Sequence, residues 1–125
     1  MAKSVRRTMD PSVLSDPRSR YMLVVEATLA ELVSELEELE PPVTYHTFFG
    51  DFSGGPGMTI WWGFARRVDR ERAQSTGVVD EVREITAARL VAHGYPEKDI
   101  AAHLFIGFTS DEEIQAGGGE FAFFR

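Results

Sequence analysis

A chain of 125 residues and 14.0 kDa is one domain, or one domain with a short tail, and it can bury about two-thirds of its unfolded surface without staples. It contains no cysteine, which excludes disulfides, thiolate metal sites and a thiol nucleophile. With 43% hydrophobic and 26% charged residues the composition is globular, and a net charge of −7 speaks against nucleic-acid binding, which needs a basic footprint.

In chain order, the first 20 residues carry Lys3, Arg6, Arg7, Arg18 and Arg20 against Asp10 and Asp16, a net +3, so the remainder is −10. Residues 1–16 read as a basic tail without the apolar core of a signal peptide. Ser15 or Asp16 can cap a helix whose first turn holds Pro17. Met22, Val25, Leu29, Leu32, Leu36 and Leu39 then make one apolar stripe, which Pro41-Pro42 stops. Glu26 and Glu31 interrupt this run, so no membrane-spanning segment is expected and the protein reads as cytoplasmic.

Two extended runs follow, Val43 to Phe52 and Met58 to Arg66, and the Ser53–Gly57 glycine-proline cluster joins them as a hairpin. Arg66, Arg67, Arg70 and Arg72 lie in a mixed-charge connection to which the sequence assigns no conformation. A second helix runs from about Val78 to His93, with Gly94 at its left-handed end and Pro96 beyond. Runs from Ile100 to Thr109 and from Glu120 to Arg125 read as two further strands. Between them, Ser110 and Glu113 fit the Ser-x-x-Glu capping box of a short helix.

The order α-β-β-α-β-β suggests a duplication, with repeats at about 17–66 and 70–125. His46-Thr47-Phe48-Phe49-Gly50 corresponds to His103-Leu104-Phe105-Ile106-Gly107, and Pro42 to Pro96. The expected fold is a single α+β domain over 17–125, a four-stranded and mainly antiparallel sheet with two helices on one face.

Two helices cover one sheet face only, yet alternation leaves aromatic side chains on both. The second face is expected to present Phe48, Trp61, Phe105 and Phe124. An uncovered aromatic patch marks an interaction site, which makes it a docking surface for a protein partner or for a second copy in a homodimer. Glu35, Glu37, Glu38 and Glu40, in a stretch from Tyr21 to Ala65 that lacks lysine and arginine, are expected to steer a basic partner.

No catalytic, cofactor or metal motif stands out, and no cofactor is expected. His46 and His103 could form an acid-base or metal pair, but no spacing fixes a carboxylate beside them. The expected function is therefore a non-catalytic protein-binding module. In size, acidity and lack of catalytic residues it resembles small toxin-immunity or inhibitor proteins that occlude a basic toxin. The alternative is an effector-binding domain with a cleft between its halves, lined by Tyr45, His46, Trp61, Trp62 and His103.

Overall fold

A computed structural model describes residues 17–50 and 57–124, and all their side chains except those of 17–19, 121 and 122. The basic tail, the Ser15/Asp16 cap and the loop between the first two strands lie outside these residues.

Helix α1 spans Pro17–Leu36. Its stripe forms as the spacing requires: Val25, Leu29, Leu32 and Leu36 are fully buried, while Met22 stays exposed and Leu39 packs beyond the helix end. Strands β1 (Tyr45–Gly50) and β2 (Met58–Phe64) pair antiparallel.

The second half departs from the expected duplication. The mixed-charge connection is a helix, α2 (Arg67–Thr76), held by Arg66–Asp69 at 3.6 Å, Asp69–Arg72 at 3.8 Å and Arg70–Gln74 at 2.9 Å. Of its residues only Ala73 is buried, so no apolar stripe announces it. Gly77, at φ 87°, separates it from α3 (Val78–Ala92). That helix closes in a Schellman motif: Gly94, at φ 104°, donates to the Val91 carbonyl and Tyr95 to that of Leu90.

Residues read as the start of a third strand instead form α4 (Glu97–His103), with Pro96 at the cap and Glu97 and Asp99 in the first turn, where acids complement the helix dipole. Strand β3 is Leu104–Ser110 and runs parallel to β2. A parallel return needs a long crossover, and α2 to α4 supply it. The sheet is thus three-stranded and mixed, in the order β1-β2-β3; it is neither four-stranded nor mainly antiparallel, and more than two helices pack around it.

Ser110 caps α5 (Asp111–Ala116) by accepting a hydrogen bond from the Glu113 amide. The segment read as a fourth strand is a single helical turn, α6 (Glu120–Phe123). Gly118 and Gly119, at φ 97° and 96°, reverse the chain before it, so this segment folds onto the sheet rather than extending it. The halves are therefore not duplicates: the second contributes one strand, and His103 ends a helix instead of matching His46 within a strand.

The core lies on one side of the sheet. Met58, Ile60, Trp62 and Phe64 of β2 and Ile106 of β3 meet Val25, Leu29, Leu32 and Leu36 of α1, Ala73 of α2, and Val79, Val82 and Leu90 of α3. The Trp62 indole donates to the Thr86 hydroxyl at 3.1 Å within this layer. Arg70 of α2 grips Glu113 of α5 with two bonds of 2.7 Å, tying the crossover to the chain after β3.

Candidate functional site

The pairing register lays out the other sheet face row by row. Phe49, Thr59 and Phe105 form one row across β1, β2 and β3; Thr47, Trp61 and Gly107 form the next; Tyr45, Gly63 and Thr109 form the third. Glycines accept the large rings. A Cβ added at Gly107 would come within 2.7 Å of the Trp61 ring, and one at Gly63 within 2.9 Å of the Tyr45 ring. Each ring thus lies against a glycine of a neighbouring strand.

Helix α6 covers part of this face. The Phe124 ring sits 5.4 Å from Trp61, 5.6 Å from Phe49 and 6.5 Å from Tyr45, nearly parallel to the last. Phe123 lies 6.3 Å from Trp61 and meets Phe124 edge-on at 4.9 Å. The Tyr45 hydroxyl donates to the Glu120 carboxylate. Burial, then this bond, then the negative charge of Glu120 and Asp111 push the Tyr45 hydroxyl well above the usual phenol range.

The row nearest the hairpin end remains open. Phe105 is 54% exposed and Phe49 40%, and Phe105 packs edge-on against Trp61 at 5.8 Å. Chemically the face offers ring area and a phenol, with carboxylates at one rim. Among the described residues no group of three His, Cys, Asp or Glu is placed to hold a metal ion. Such a surface can bury apolar area and orient a ligand.

The register decides where the sequence-derived candidates fall. Trp61 and Phe105 share the second face, whereas Phe48 pairs with Ile60 and turns to the core side, partly buried; its neighbour Phe49 takes the place expected of it. The acidic candidates lie on and just beyond α1, across the sheet from the aromatic face. Glu35 binds Arg89 through two bonds of 2.8 and 3.0 Å, which hold its carboxyl below the usual range. Glu40 pairs with Arg72 at 2.8 Å. Glu37 and Glu38 are exposed and make no side-chain ion pair among the described residues.

The candidates for a cleft do not converge. Tyr45, His46 and Trp62 border a cavity of about 30 Å³ with Val33, Leu36 and Glu37, room for a water or two against the roughly 300 Å³ of a ligand site. Burial lowers the His46 pKa, and its ring stands 5.6 Å from Trp62. Trp61 projects from the opposite face. His103 precedes β3 on the far edge of the sheet. His46 aligns through Trp62 with Phe108, so two strand spacings and five residues of rise separate the histidines, roughly 19 Å.

Phe49, Phe123 and the Tyr45–Glu120 bond escape the sequence reading, whereas Phe124 does lie on the expected face, though at the end of a helical turn rather than in a strand. The one local signal for them is the triple glycine at 117–119 before two adjacent phenylalanines, which is a turn cue rather than a strand cue.

A second polar cluster stands at the α1–α4 junction. The Tyr21 hydroxyl donates to buried Asp99 at 2.9 Å, and its ring meets Tyr95 edge-on at 5.3 Å. These rings border a cavity of about 190 Å³ with Arg20, Val24, Gly94 and Pro96.

Among the described residues no helix is long and apolar enough to cross a membrane. Comparison with protein-family models, curated proteins and solved structures finds no match to this chain.

Proposed function

We propose that the protein is a non-catalytic binding module whose partner, another protein, docks on the aromatic sheet face. The observation that carries this reading is the open row of Phe49 and Phe105 beside Trp61, on a face that, among the described residues, a single helical turn covers in part. Exposed aromatic groups of this kind provide large contact area at low entropic cost, and they are enriched among interface anchors. The excess of acid in the body favours a partner of net positive charge. Of the acidic run, Glu35 and Glu40 are engaged within the fold and all four lie across the sheet from the docking face, so the attraction acts through the net charge of the body rather than through that run.

Photo-crosslinking tests the reading. A benzoylphenylalanine placed at position 105 should give one stoichiometric adduct in the producing cell, and the same probe at exposed Val68, away from this face, should not. The captured protein, purified, should bind at least about tenfold more weakly to the Phe105→Ala and Trp61→Ala chains, and more weakly as salt rises. Equal crosslinking from 68 and 105, or an affinity indifferent to both substitutions, overturns it.

A further inference from the structure

The covering turn indicates what kind of segment the face accepts. Phe124 touches rings contributed by β1 and β2 together, Phe123 closes over Trp61, and Tyr45 donates to an acceptor one helical turn earlier, on Glu120. These are the features of a receptor for a short helical turn: an acceptor at its start and adjacent aromatic side chains at its end. We infer that the aromatic face is a receptor for a partner segment bearing two adjacent aromatic residues, and that the chain's own residues 120–124 are the occupant this segment replaces. The inference rests on the reading of this face as the partner surface.

Three observations support replacement over permanent closure. A helix of four residues has no stability of its own, so its order derives from docking. Among the described residues its backbone hydrogen bonds run to Gly119 and within the turn, and none reaches the sheet, so its release breaks no ladder bond. The glycines at 117–119 form its tether, with Gly118 and Gly119 at positive φ. In addition, α6 leaves Phe105 and much of Phe49 bare, and a longer segment would cover these as well. That extra burial is the differential affinity needed to displace a tethered competitor, whose effective concentration is on the order of millimolar.

The test uses a synthetic peptide of residues 119–125, blocked at both ends, added to the full-length chain. With Phe123→Ala/Phe124→Ala the face is vacated, and saturable binding, read as the anisotropy of a fluorophore that forms the peptide's N-terminal block, is expected at least about tenfold tighter than to wild type, because the competent fraction rises. Adding Trp61→Ala to that chain should abolish binding, as should replacing both terminal phenylalanines of the peptide by alanine. A folded double variant that binds the peptide no tighter than wild type overturns the inference. Should that variant fail to fold, Glu120→Ala loosens the turn without touching the receptor. It should bind the peptide at least threefold tighter than wild type, and equal affinity overturns the inference. The two proposals fail separately: peptide binding with an indifferent crosslinked partner removes the partner assignment, while loss of the partner on Phe105→Ala without peptide binding removes the receptor.

Discussion

Trp61 lies across Gly107, so closely that a Cβ at position 107 would stand 2.7 and 2.8 Å from two atoms of the indole and 2.9 Å from Phe105. The glycine is therefore a slot for the central ring of the aromatic face, and Gly63 is the matching slot for Tyr45.

Gly107→Ala should force Trp61 out of that slot and cost about 1–3 kcal/mol, the usual range for overpacking a filled site. Chemical denaturation followed by far-UV circular dichroism measures the loss, and Trp61 emission should report the displaced ring. Stability within about 0.5 kcal/mol of wild type would show that the ring moves freely and that the slot is not required.

In the core layer the Trp62 indole depends on one acceptor. Thr86→Val keeps the shape but leaves that buried N–H unpaired, since the Thr86 hydroxyl both accepts from Trp62 and donates to the Val82 carbonyl at 2.7 Å. The expected loss is about 1–3 kcal/mol. In a Trp62→Phe background the same substitution should cost much less, and a double-mutant cycle that is additive within about 0.3 kcal/mol would refute the dependence.

The Arg70 guanidinium, helped by the Ser110 hydroxyl, holds the Glu113 carboxyl below its ordinary value of 4.5. A depressed folded-state pKa contributes stability that is present above the unfolded value and fades as pH falls through the folded one. Glu113→Gln should therefore cost about 1–2 kcal/mol near neutral pH, and the gap from wild type should narrow as pH drops below about 4. A gap that stays constant between pH 7 and pH 3 would contradict the pairing.

All three tyrosines are held above their ordinary value of 10.0. For Tyr21 the first cause is its hydrogen bond to Asp99; for Tyr45 and Tyr95 it is burial, which takes Tyr95 to about 12. Raised values give stability that is intact below pH 10 and declines as pH rises toward 12. Absorbance of phenolate should appear late and coincide with unfolding. A titration midpoint near 10 in folded protein would contradict these environments.

Elements that rest on neighbours in sequence are legible from it. The α1 stripe, the Gly94 terminus of α3 and the Ser110–Glu113 cap each need contacts only a few residues apart, and each forms where its pattern lies. Helix α2 leaves no such mark because its surface is nearly all solvated, and its support comes from charge pairs that a periodicity test ignores. Residues 100–103 and 120–123 are apolar enough for strands. They become helical because Pro96 with its acidic first turn starts α4, and because the glycines turn the chain before α6.

By itself, then, the sequence determined an α+β chain with a surplus of aromatic strand residues and an acidic body, since those follow from composition and local pattern. Only the tertiary structure decided which rings share a face. A crossover made β2 and β3 parallel, the register sent Phe48 inward and Phe49 outward, and the C-terminal turn settled over Trp61. Side-chain direction in a strand reverses at every residue, so a one-residue difference in pairing exchanges core for surface. That difference is set by distant segments, and no local spacing records it.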